Sequence, residues 1–235
     1  MKTTMTRYTL VAATTVVLAA CGGGDGGSDS PSSTPAPTRS AVEGLWTNQY
    51  GGVLVTSTGE FWGIEYDNGW VLFQGQVNAA GGSISGSGTM YEGLTRVAGS
   101  VAGSYTSTNL SVTLSAQNFG AITATLAKNA WYDQAPSLSQ MAGTYRSDGG
   151  AFFVLSTTGA IQGSNGACTF AGQARTSDEG KNFYRFTLTY GNTCGILSGK
   201  SSSGVVVPSS NTQAFYGEKL DDGTIGDAGV LIKVN

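Results

Sequence analysis

The chain has 235 residues, enough for one large or two small domains, with only 11% charged residues and 36 glycines. It contains no histidine, which removes the commonest general base, the commonest metal ligand and every Ser-His or Cys-His nucleophilic arrangement. The net charge is −3 and no basic stripe runs through the sequence, so nucleic acid is not an expected partner.

Residues 1–20 have the form of a signal peptide, with Lys2 and Arg7 at a positive end and an apolar run from Tyr8 to Leu18. That run falls short of the roughly 20 apolar residues a spanning helix needs. Its end, Leu18-Ala19-Ala20-Cys21, resembles the bacterial lipobox. The resemblance implies cleavage before Cys21, diacylglycerol on its sulfur and a further acyl chain such as palmitate on its amine. Gly22 stands where an inner-membrane retention signal usually shows Asp, so the outer membrane is the implied location, facing the periplasm or the surface. Several acyl chains make a stable anchor, whereas one binds reversibly. Without Lys2 and Arg7 the mature chain carries 10 basic and 15 acidic residues, a balance of −5. Residues 21–40 are rich in Gly, Ser, Pro and Thr and offer nothing to bury against the entropy of ordering, so they read as a disordered tether.

The rest of the chain is organised by a repeat. Gly44-Leu45-Trp46, Gly51-Gly52-Val53, Thr58-Gly59 and Gly63 are answered by Gly143-Thr144-Tyr145, Gly149-Gly150-Ala151, Thr158-Gly159 and Gly163. Further on, Phe73-Gln74-Gly75-Gln76 is answered by Phe170-Ala171-Gly172-Gln173. Two tandem copies of one β unit follow, at 41–129 and 141–235, with a linker at 130–140. In the first, strands are expected near 43–47, 51–57, 60–66, 70–78, 82–90, 97–105, 109–115 and 119–127, and the second yields eight or nine. The linker contains Pro136, and Ser137 with Gln140 has capping-box spacing for one short helical turn. The fold class is therefore all-β, two small antiparallel up-and-down β-barrels of about eight strands each, an arrangement without open edges.

Asn68-Gly69 predicts a two-residue hairpin. It would set Tyr66 opposite Val71, Ile64 opposite Phe73 and Trp62 opposite Gly75, with Trp62, Ile64 and Tyr66 facing inward and Phe61 and Leu72 on a wetter face. In the second copy Asn165-Gly166 would pair Ile161 with Phe170 and turn Cys168 inward.

Gly44-Leu45-Trp46 at the head of such a barrel resembles the G-x-W signature of the lipocalin and avidin group. Gly143-Thr144-Tyr145 is a weaker form of it, and the resemblance supports the barrel and not a ligand. With the lipobox and tether, the chain also looks distantly like surface lipoproteins of the transferrin-binding type. Those are longer and carry handle domains absent here, so their receptor role does not transfer.

After lipidation of Cys21, two cysteines remain in an exported chain, and Cys168 and Cys194 are expected to form a disulfide. No metal site, cofactor or catalytic residue is expected. Most acids lie in turns such as Asp221-Asp222-Gly223, Glu60 and Glu65 point to opposite faces of one strand, and Asp221, Asp222 and Asp227 lack calcium-loop spacing. Phe61 and Trp70 are the candidate binding aromatics, while Trp131 and Tyr132 suit packing between the barrels. The expectation is a non-catalytic binding or structural module, held to the membrane through Cys21 and engaging an unidentified envelope or extracellular protein or ligand. The alternatives are a carrier of a small apolar ligand inside one barrel and, last, an envelope hydrolase. A barrel of eight strands holds either its own side chains or one small ligand.

Overall fold

A computed structural model describes residues 39–66, 69–117 and 119–234. The expected signal peptide, Cys21, the expected tether up to residue 38, and Asp67 and Asn68 of the first hairpin turn lie outside the described residues. The first barrel is formed by β1 (Gly44–Thr47), β2 (Gly51–Val55), β3 (Glu60–Tyr66), β4 (Trp70–Ala80), β5 (Ser83–Glu92), β6 (Thr95–Tyr105), β7 (Asn109–Ala116) and β8 (Gly120–Asn129). The second is formed by β9 (Gly143–Ser147), β10 (Phe152–Leu155), β11 (Ala160–Asn165), β12 (Cys168–Thr176), β13 (Tyr184–Tyr190), β14 (Ser201–Pro208), β15 (Gln213–Leu220) and β16 (Gly226–Val234). Each strand pairs antiparallel with its neighbours, β1 with β8 and β9 with β16 close the two rings, and the result is two up-and-down barrels in tandem. This is consistent with the barrel that the Gly-x-Trp resemblance implies. Between them run a 3-10 turn, Ala130–Asp133, and a single-turn helix, Leu138–Met141, whose N-cap Ser137 makes no side-chain capping bond.

The repeated residues do the same work in both copies. Gly59 and Gly159 turn with φ of 83° and 87°, and a Cβ there would sit 2.4 Å from the Val77 carbonyl oxygen and 2.2 Å from that of Ala174. Only glycine fits such a turn without strain. In each copy the next strand but one caps the turn: Gln76 Nε2 donates to the Thr58 carbonyl at 2.5 Å and Gln173 Nε2 to the Thr158 carbonyl at 2.8 Å. The Gly-x-aromatic opening is likewise a plug. Trp46 Nε1 donates to the Val42 carbonyl at 3.0 Å and Tyr145 OH to the Met141 carbonyl at 2.6 Å, each four residues upstream. A lysine of the closing strand, Lys128 or Lys233, lies 5.7 Å from the ring centroid in each case.

The hairpin registers differ from expectation. Tyr66 pairs with Trp70, Ile64 with Leu72 and Phe61 with Gly75, so the β3–β4 loop has three residues and the pairing moves by one. A slip of one exchanges the faces. Phe61 therefore points inward with Val71, Phe73 and Val77, and its ring meets Phe73 edge-on at 5.7 Å. Trp62, Ile64 and Leu72 point outward, and Tyr66, expected inside, is exposed. In β11–β12 the pairing moves by two, Asn165 to Cys168 and Ile161 to Gly172. Because two is the side-chain period, Ile161, Phe170 and Cys168 keep their inward side.

Three apolar clusters result. One fills the first barrel with Trp46, Phe61, Phe73, Met90, Leu110 and their neighbours, all nearly or fully buried. A second lines the second barrel. The third lies between the barrels: Trp62, Ile64 and Leu72 of the first meet Phe183, Phe215 and Val230 of the second, with Tyr132 of the linker among them. The outer face of β3–β4 is thus a dry interface at Trp62, Ile64 and Leu72, while Gln74 and Gln76 further along β4 keep the wetter character expected. Gly217 admits the approach, since a Cβ there would lie 2.9 Å from Leu72 Cδ1 and 3.2 Å from Trp62 Cε3. At the edge of this interface Arg185 pairs with Glu60, which also accepts from Trp62 Nε1 at 2.9 Å.

Candidate functional site

In the second barrel, side-chain alternation turns Phe186 and Tyr190 of β13, Ser202 of β14, and Tyr216 and Glu218 of β15 toward the inside. The β15–β16 register sets Glu218 directly opposite Asp227 and Tyr216 opposite Gly229, so Asp227 shares that side of the ladder. Glu218 is 8% exposed; Tyr190 OH donates to its Oε1 at 2.8 Å and Ser202 OH to its Oε2 at 2.6 Å. On the other flank Glu218 pairs with Gly204, where a Cβ would meet the Phe186 ring at 2.8 Å. Tyr216 OH donates to Asp227 Oδ2 at 2.9 Å, and Trp70 Nε1 of the first barrel reaches Asp148 on the same rim.

Burial raises the pKa of Glu218 to about 7, and the nearby Asp227 adds to the rise, while the hydroxyls of Ser202 and Tyr190 hold it down in part. Asp227 is raised as well, first by desolvation and further by Asp148, although it still meets solvent at the mouth and accepts a bond from Tyr216. Glu218, the deeper of the two, therefore changes charge near neutral pH. Tyr190 and Tyr216 are pushed upward by burial and then by these carboxylates, and they act as neutral donors.

Asp148, Tyr190, Tyr216, Glu218 and Asp227 line a chamber of about 510 Å³ at the mouth of the barrel, with Trp70, Phe153, Phe170, Leu188 and the disulfide also on its wall. An adjoining recess of about 280 Å³ runs past Glu218 and Asp227 to Leu94, Ile196 and Ile225. Behind Glu218 the barrel keeps a small apolar void of about 40 Å³ among Leu155, Ile161, Phe186 and Leu231. The Cys168–Cys194 bond (S–S 2.05 Å) ties the β11–β12 hairpin to the segment around the 3-10 turn Gly195–Leu197, and so holds the rim of the mouth.

The candidates from sequence are distributed unevenly. Cys168 and Cys194 are bonded as expected, and Trp70 lies on the chamber wall, its ring 5.4 Å from Tyr66. Phe61 is fully buried inside the first barrel and has no surface to offer a partner, because the one-residue shift turned it inward. Tyr132 does pack between the barrels, stacked with Phe183 at 6.3 Å. Asp221, Asp222 and Asp227 do not converge: Asp222 is engaged by Lys200 and Thr224, while Asp227 joins Tyr216. Glu218, Asp227, Tyr190, Tyr216 and Ser202 escaped sequence reasoning as a group. The available signal was the alternation Ala214, Tyr216, Glu218, Leu220, which places one acid in an otherwise apolar inward row.

No protein-family model matches the chain, and no curated protein and no solved structure matches it. What the fold and site define is a pair of closed eight-stranded barrels, the second with an acidic, aromatic-lined chamber at its mouth.

Proposed function

We propose that the protein is a non-catalytic binding module of the cell envelope, anchored in the outer membrane through lipidated Cys21, whose ligand enters the second barrel. The observation that carries this reading is the chamber of about 510 Å³, within the roughly 300–1,000 Å³ common for ligand sites. Its wall combines aromatic rings with a few converging polar groups, and the first barrel by contrast has large side chains in its interior. Among the alternatives, this favours a carrier of a small ligand inside a barrel. Ser202 is buried, at 1% exposure, and is not on the chamber wall, which supports binding over nucleophilic chemistry. Display at the membrane rests on the lipobox resemblance and the tether.

The test uses the full-length chain and the neutral fluorophore N-phenyl-1-naphthylamine. Saturable fluorescence enhancement is expected, and Leu188→Trp, which fills the chamber, should abolish it. Unsaturable binding, or binding unaffected by Leu188→Trp, overturns the reading, as does turnover of a ligand that Glu218→Gln eliminates. Labelling with radioactive palmitate should mark the wild type and not Cys21→Ser; equal labelling of both would remove the anchor.

A further inference from the structure

If the second barrel is a binding site, as proposed above, its ligand class can be narrowed. We infer that the chamber takes a small organic cation, with an ammonium-type group against Glu218 and Asp227 and an apolar body among Trp70, Phe153, Tyr190 and Tyr216. Among the described residues the chamber wall contains Asp148, Glu218 and Asp227 and neither Lys nor Arg. Lys219 borders the adjoining recess, but it alternates with Glu218 along β15 and lies on the side of Phe215 and Gly217, away from the interior.

Among the described residues Glu218 receives only two neutral hydroxyls, from Tyr190 and Ser202, whereas a carboxylate offers about four acceptor sites. An ionised carboxylate buried without a counter-charge is costly, and a bound cation would supply one. The rings of Trp70, Phe153, Phe170, Tyr190 and Tyr216 share the same wall, and ring faces attract cations. An independent observation concerns the entrance. Leu94 at 71% and Ile196 at 61% exposure are the most exposed large apolar side chains among the described residues, and both border the recess. Apolar lips over an acidic interior suit a ligand that is apolar at one end and positive at the other, and they do not suit an anion or a sugar.

The experiment compares three probes of similar size on the full-length chain by calorimetry at pH 8: 2-phenylethylamine, 2-phenylethanol and phenylacetate. The amine is expected to bind about tenfold or more tighter than the alcohol, the scale of one charge-assisted hydrogen bond, with phenylacetate weakest. Glu218→Gln should remove that preference, bringing the amine and the alcohol to similar affinities. Should that variant not fold, Asp227→Asn at the accessible rim should reduce the preference. Equal binding of amine and alcohol, or no binding of the amine where N-phenyl-1-naphthylamine binds, overturns the cation inference and leaves the carrier reading standing. Failure of all three probes together with N-phenyl-1-naphthylamine overturns both.

Discussion

Glu218 sits inside the second barrel with, among the described residues, only neutral hydroxyls as its hydrogen-bond partners, so the free protein should lose stability as pH rises through neutrality. The perturbation is Glu218→Gln, which keeps the shape but cannot ionise; its one amide oxygen accepts from one of the two hydroxyls, Tyr190 or Ser202, and its NH2 donates to the other. The carboxyl's pKa moves from 4.5 when unfolded to about 7 when folded, because burial disfavours the charged form. A group whose folded pKa is raised holds its proton more tightly in the folded state. Its favourable contribution is therefore fully present below about pH 4.5 and is lost as pH rises through about 7. At about 1.36 kcal/mol per pH unit the loss is on the order of 3 kcal/mol. Urea unfolding of wild type and Glu218→Gln at intervals from pH 4.5 to 8.5 measures it. The difference between the two should change by that amount, with most of the change between pH 5 and 7. Parallel curves would refute the reasoning and mean that Glu218 is solvated in the free protein.

Other expectations concern the frame. Reducing the Cys168–Cys194 bond, which closes a separation of 26 residues, should cost roughly 3–4 kcal/mol in the chain-entropy model, and two free thiols in periplasmically expressed protein would refute the pairing. Ile64→Ala, in the dry layer between the barrels, should cost about 2–5 kcal/mol in chemical denaturation; a loss below about 0.5 kcal/mol would mean that the barrels do not pack there. Gly59→Ala and Gly159→Ala force a side chain to positive φ and against a carbonyl oxygen, so each should cost on the order of 1–3 kcal/mol, and unchanged melting temperatures would contradict the turn geometry.

Much of the architecture is decided by local chemistry and is legible in sequence. Turns at Gly59 and Gly159 need glycine, and each is capped by a glutamine that recurs in the repeat, so both copies announce their strands. The alternation within a strand also survives, which is why Ile161, Phe170 and Cys168 keep their inward side even after a register shift of two. The disulfide was legible by elimination, from the two cysteines left over once Cys21 is read as lipidated.

Register and burial between the barrels were decided only in three dimensions. The loop before Trp70 has three residues where two were expected, and that single step exchanged the roles of Phe61 and Trp62. Nothing local distinguishes the two, because both faces of β3 are apolar: one fills the first barrel and the other meets Phe215 and Val230 of the second. The site has the same character. Glu218 and Asp227 are nine residues apart and look like an ordinary strand acid and a turn acid. The β15–β16 register sets them face to face, and the curl of the sheet into a barrel adds Tyr190 and Ser202 from other strands and removes the water that would otherwise leave Glu218 with an ordinary pKa. Turn and face preferences are properties of a few neighbouring residues, whereas desolvation belongs to everything that packs around a group.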